Sequence, residues 1–161
     1  YLMPFMDVKP DDPHWEAIQR VGVTGILRGT GKAEGWGNKM FFYPDSLARG
    51  DDFIYGLRKY AGRYYNSLRL YRILDSLTVA TVFRFISRIR PFFKTPEFRN
   101  IQKVEDLSSL WKNWGIGDFN PQRTLSRKEL SVFLDKCLLL WGSKNVLMDI
   151  QGRLKFQTSQ F

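Results

Sequence analysis

The sequence is short of the groups that most catalytic and metal sites need. It holds one cysteine, Cys137, and one histidine, His14. A single thiol excludes an internal disulfide framework and a cysteine-built zinc site. It leaves the compartment open, since a secreted domain of this size can do without disulfides. His14 has no second imidazole to share a metal and no nucleophile and acid set out around it, so it reads as a surface residue at a helix start. Long apolar runs are also missing. The longest, Leu77–Val82, is broken by threonines and is far too short to span a bilayer. No signal peptide is visible, and the chain begins at Tyr1 in place of Met. It therefore reads as an excised domain of a longer protein, whose catalytic part lies elsewhere.

Hydrophobic residues make up 43% of the 161 positions and aromatics 16%, which excludes disorder as the main state and allows one domain with its own core. The net charge is +9 and is unevenly placed. Residues 1–57 carry 6 basic and 8 acidic groups; residues 58–103 carry 11 and 2; residues 104–161 carry 8 and 6. The excess therefore belongs to the middle third.

Asp12-Pro13 opens the first helix, Asp12 as cap and Pro13 at the first helical position, with Trp15, Ala17, Ile18 and Val21 on one face. The glycine-rich stretch from Gly29 to Gly37 reads as a flexible loop, closed by Phe41-Phe42-Tyr43 and the turn Pro44-Asp45. A second helix starts near Ser46 and carries Phe53, Ile54 and Leu57. Residues 66–90 read as one long helix that ends at Pro91; the β-branched stretch Thr78–Val82 would also allow a strand, but the longer period favours helix. Leu70, Leu74, Leu77, Thr81, Phe85 and Ile89 form its apolar face, and Arg69, Arg72, Arg84 and Arg88 the opposite one. A fourth helix covers 104–114. Ser126 and Glu129 have the spacing of a capping box and start a fifth, which runs through Trp141 and stops at Gly142. The tail 146–156 reads as a small hairpin centred on Gln151-Gly152.

The first and last thirds repeat one order of signals. Phe5-Met-Asp-Val8, a helix, Gly25-Ile26, a loop ending at Pro44 and Arg49-Gly-Asp51 are followed later by Phe98-Arg-Asn-Ile101, a helix, Gly115-Ile116, a loop ending at Pro121 and Arg127-Lys-Glu129. This order resembles the S-layer homology repeat. In the first copy Asp7-Val8, Trp15, Ala17-Ile18, Gly25-Ile26, Phe42 and Pro44 match; in the second Gly115-Ile116, Gly117, Phe119, Pro121 and Ser126–Leu130 match. Ala48 stands where the family has Thr or Ser, and Asp51 where it has Glu. Segment 3–45 is also similar to the C-terminal region of Bacteroidetes-type FAD-dependent oxidoreductases, often labelled xanthan lyase-like. The strings Pro4–Gly22, Thr24–Leu27 and Trp36…Asp45 carry that likeness.

The expectation is a single mostly α domain over 1–161, a bundle of about five helices. Its repeat-like copies are 4–60 and 97–141, joined by the basic helix 66–90. The resemblance implies a non-catalytic accessory domain with no cofactor of its own, at the C-terminus of a larger exported protein whose upstream FAD domain does the chemistry. It implies an extracytoplasmic or cell-surface location. It also implies a glycan groove: the family's motif Arg reaches acidic sugar substituents, which maps onto Arg49 and Arg127, with Asp51 and Glu129 beside them. Trp36 is a candidate sugar-stacking ring, whereas Phe41, Phe42 and Tyr43 read as packing.

Plainer readings stand beside these. Arg127 at a capped helix start either meets an anion, or points to solvent or pairs with a neighbour; for Arg49 the plainer reading is stronger, Asp45 or Ser46 serving as the cap. Gly29-Thr30-Gly31-Lys32 fails as a phosphate loop, because Ile26 and Ala33 occupy positions that need Gly and Ser or Thr. Asp7, Asp11 and Asp12 lack the alternating ligands and glycine of a calcium loop and read as caps or solvated charges. Cys137 reads as a buried core thiol. Arg69, Arg72, Arg84 and Arg88 read as a face docked on an acidic partner domain, or solvated, ahead of nucleic-acid binding, for which no recognised motif is present.

Overall fold

The computed structural model describes residues 3–61, 77–140, 146–148 and 154–156. Helix α1 is Trp15–Thr24, two residues later than Pro13 predicts. The Asp12 carboxylate accepts the His14 N–H at 2.7 Å. It thus shapes the turn ahead of the helix, and His14 takes the cap position without a side-chain bond. Ala17, Ile18 and Val21 are buried as the period requires, and Gly25 closes the helix at φ 73°.

The glycine-rich stretch is a β-hairpin, not an open loop. β1 (Thr30–Glu34) pairs antiparallel with β2 (Gly37–Phe41), Glu34 opposite Gly37. Gly35, at φ 60°, supplies the first residue of the two-residue turn. β1 is exposed on both faces, so it carries no apolar alternation to read in the sequence. Phe5 bridges Met40 and lays the N-terminal segment along β2.

Helix α2 is Gly50–Ala61 and buries Phe53, Leu57 and Ala61. It begins four residues after Ser46, because the preceding residues pair with another part of the chain. Leu47 bridges Ser126, and the Ala48 N–H donates to the Leu125 carbonyl at 2.9 Å. Neither proposed cap acts as one: Asp45 pairs with Lys128, and the Ser46 hydroxyl donates to the Tyr43 carbonyl.

The continuous helix over 66–90 does not form. Arg69, Arg72 and the rest of 62–76 lie outside the described residues. Thr78 is extended, with ψ 160°, and only then does α3 run, Val79–Ser87. The Thr78 hydroxyl accepts the Thr81 N–H, so this residue is a cap and not a helix interior. Its backbone bridges Thr124, and the Leu77 carbonyl accepts the Leu125 N–H. Of the β-branched stretch Thr78–Val82, which allowed a strand, Thr78 alone is extended, and Val79–Val82 belong to α3.

A 3₁₀ turn, Pro91–Phe93, and the short helix α4, Pro96–Arg99, follow. A 3₁₀ turn at Val104–Leu107 runs into α5, Ser108–Asn113, close to the expected 104–114. Helix α6 is Arg127–Cys137 and has both bonds of the capping box. It stops at Cys137, short of Gly142, because Leu138 turns extended and its residue bridges Lys94. Trp141 and Gly142 lie outside the described residues. β3 (Val146–Met148) and β4 (Leu154–Phe156) pair antiparallel, as the tail reading expects.

The domain is helix-rich but mixed, with antiparallel hairpin structure beside its helices. Trp111 is fully buried, edge-on to Phe133 and Phe119. α1 packs on α6, where Arg20 makes a bidentate pair with Asp135 at 2.6 and 2.8 Å. Among the described residues no helix is long and apolar enough to cross a membrane.

Candidate functional site

Three helix starts meet in one junction. The extended residues before α2, α3 and α6 lie side by side: Leu47 on Ser126, and Thr78 on Thr124. The Arg127 and Lys128 amides, unsatisfied within their own helix, donate to the Ser46 and Pro44 carbonyls at 2.9 Å each. The first-third loop therefore covers the N-terminus of α6.

Arg127 neither faces solvent nor reaches into a groove. It is 8% exposed. Its Nε donates to the Phe42 carbonyl and its Nη2 to the Arg28 carbonyl, both at 2.7 Å, and the guanidinium lies 4.6 Å over the Phe42 ring. A cation in the first turn of a helix opposes the helix dipole. Two carbonyls offset that here. Burial pushes the guanidinium below its ordinary pKa, and the charges of Asp52 and Asp7 pull it back.

Asp7 completes this arrangement. Its two carboxylate oxygens accept the N–H groups of Phe42 and Tyr43 at 2.7 and 2.6 Å. Tyr43 has φ 56°, an uncommon conformation for a non-glycine residue. Asp7 fixes the amides of this turn while Arg127 fixes one carbonyl, so the two motif residues clamp one loop. Sequence reading had treated Asp7 as a cap or a solvated charge. Its partners lie 35 and 36 residues away, and no local spacing announces them.

Glu129 turns the other way. It accepts the Ser126 N–H at 2.9 Å and an Arg123 N–H at 2.6 Å. Burial alone would raise its carboxyl pKa, but these bonds hold it below the ordinary value. Arg49 and Asp51 pair with each other at 2.9 Å at the start of α2. The Arg49 bond keeps the Asp51 carboxyl low. The junction thus brings the two motif stretches together, but their charged side chains are engaged with protein groups. Trp36 stands apart at the hairpin tip, 108% exposed. Phe42 is fully buried, whereas Phe41 and Tyr43 stack at 5.9 Å under the Lys32 ammonium. The Tyr43 hydroxyl holds Lys32 above its ordinary pKa.

The basic face behaves differently. Arg84, Arg88 and Arg90 are exposed on and just after α3. Among the described residues none of the three has an ion-pair partner, although Arg20, Lys39, Arg49, Arg123 and Lys128 all have one. His14 sits against Asp12 at the start of α1, as its position suggests. Cys137 is fully buried, and burial drives its thiol pKa up. Among the described residues no cluster of His, Cys, Asp or Glu is suited to a metal. No family model, curated protein or solved structure matches this chain.

Proposed function

We propose that this chain is a non-catalytic accessory domain of the S-layer homology type. In this reading it belongs to a larger exported protein related to FAD-dependent oxidoreductases, and it docks on an acidic face of a partner domain of the same chain. The observation that carries the docking reading is a cluster of exposed cations. Among the described residues Arg84, Arg88 and Arg90 stand close together along one segment, all exposed and none in an ion pair. Unpaired like charges on one surface repel each other, and a surface of complementary sign relieves that.

The repeat resemblance finds support in the junction. The extended Leu77-Thr78 stretch and α3 enter it beside the starts of α2 and α6, the helices that follow the two repeat-like loops. The capping box at Ser126 supports the same assignment. Glycan anchoring through Arg127 and Arg49 is the weaker reading, because Arg127 is already committed to two backbone carbonyls.

Limited proteolysis of the parent protein tests the docking. Wild type is expected to resist cleavage between this domain and the remainder. Arg84→Glu with Arg88→Glu is expected to release the domain intact. Identical cleavage of both proteins would overturn the reading, as would a salt-sensitive duplex DNA gel shift that the same double substitution abolishes.

A further inference from the structure

On the side of the domain where α1 meets α6, α4 and α5 form the other walls of an open cleft of about 320 Å³. That is the lower end of the range for small-ligand sites, roughly 300–1,000 Å³. Its floor is the Arg20–Asp135 pair. The Asp135 side chain is only 7% exposed, and Arg20 is held from its other side by Glu16 at 3.1 Å. This is a rigid, planar polar surface: each carboxylate oxygen keeps a lone pair, and the guanidinium keeps unspent N–H groups.

Glu97 and Lys136 stand at the rim, both exposed. Among the described residues neither side chain has an ion-pair or hydrogen-bond partner, so both are available to a ligand. The Thr95 hydroxyl donates to the Lys136 carbonyl at 2.9 Å and ties one wall to the end of α6. Trp114 supplies a half-buried indole, held in orientation by Trp111 at 5.6 Å and Phe133 at 5.9 Å.

The charges select the class of ligand. Among the lining residues two cations, Arg20 and Lys136, meet two anions, Glu97 and Asp135, and Glu16 stands behind Arg20, so the cleft carries no excess of positive charge. A polyanion gains nothing here that α3 does not offer better, and a polycation gains nothing either. A neutral ligand with many hydroxyls fits, because each hydroxyl both donates and accepts and can bridge groups of opposite sign. A flat indole beside fixed carboxylate and guanidinium planes suits a sugar ring, its C–H face on the indole and its hydroxyls on the charged groups.

We propose that this cleft binds a neutral sugar unit, stacked on Trp114 and hydrogen-bonded to Arg20, Asp135, Glu97 and Lys136. This site is separate from Arg49, Arg127 and Trp36, and the proposal does not rest on the docking reading.

An array of neutral and acidic oligosaccharides, followed by calorimetric titration of the hits, tests it. A neutral oligosaccharide is expected to bind with little salt dependence. Glu97→Gln and Lys136→Met are each expected to weaken it by about tenfold, equivalent to 1.4 kcal/mol. Both residues are exposed, so their variants should keep the wild-type circular dichroism and melting. Trp114→Phe is the third variant, keeping a ring in place. Arg84→Glu with Arg88→Glu should leave sugar binding unchanged, so failure of the docking reading would show separately. No neutral glycan bound on the array, binding indifferent to the Glu97 and Lys136 substitutions, or binding of acidic glycans alone would each overturn the proposal.

Discussion

Replacing Arg127 separates an architectural arginine from a ligand-reaching one. Truncation to Ala removes two charge-assisted hydrogen bonds and leaves the Phe42 and Arg28 carbonyls without their donors. Each unsatisfied buried group costs about 1–3 kcal/mol. The lost stacking on Phe42 adds about 1 kcal/mol. Against this, the domain no longer has to desolvate a guanidinium, which returns part of the loss. The net expectation is a destabilisation of about 3–5 kcal/mol, the range for breaking a buried charged network. Total stabilities run about 5–15 kcal/mol, so the change is a large fraction of the whole. Arg127→Lys keeps the charge but cannot span both carbonyls, and should fall between wild type and Ala. Urea denaturation followed by far-ultraviolet circular dichroism gives the order. An Arg127→Ala midpoint equal to wild type would refute the reasoning and return this residue to the surface.

Other consequences are equally concrete. Gly56→Ala should gain about 1 kcal/mol from helix propensity alone. A Cβ there would stand 2.1 Å from the Ile26 carbonyl oxygen, so a lower melting temperature is expected instead. Glu129 has a depressed pKa in the fold, so its contribution to stability is present above its unfolded value near 4.5 and is lost as pH falls through the folded value. Glu129→Gln should therefore flatten the acid limb of a stability–pH curve, and an unchanged slope below pH 4.5 would count against the capping geometry. Tyr60 is pushed up to about 12 by burial, and its hydroxyl donates to the Leu139 carbonyl at 2.8 Å. Its share of stability is present below pH 10 and lost as pH rises toward 12, a loss that Tyr60→Phe should reduce in alkaline denaturation. Cys137 should react with a thiol reagent only at the rate of unfolding, and fast labelling of the native protein would contradict its burial.

What the sequence made legible was local. The capping box of α6, the apolar face of α1 and the buried thiol each rest on residues within one or two helical turns, and all three appear as expected. Two failures were failures of pattern. Thr78–Val82 fits both a helix period and an extended stretch; pairing with Thr124 holds Thr78 extended, and Val79–Val82 join α3. β1 is a strand with nothing to bury, so no alternation marks it. The partners of the buried charged residues were hidden for another reason. Asp7 acts 35 residues away, Arg127 85 and 99 residues away, and Arg20 115 residues away. The identity of those partners follows from the fold as a whole. The concentration of charge in the middle third was legible at once; what the structure adds is that Arg84, Arg88 and Arg90, on and just after α3, have no ion-pair partner among the described residues.

The central claim proposed here is that the exposed arginines on and just after α3 serve docking while Arg127, buried at the start of α6, serves architecture. The most direct measurement is calorimetric titration of this domain against the separately produced remainder of its parent protein, at low and high ionic strength. The account predicts binding that weakens with salt, as screening requires. It predicts that Arg84→Glu with Arg88→Glu abolishes binding while the urea midpoint stays at the wild-type value. Binding that ignores both salt and the double substitution would contradict it.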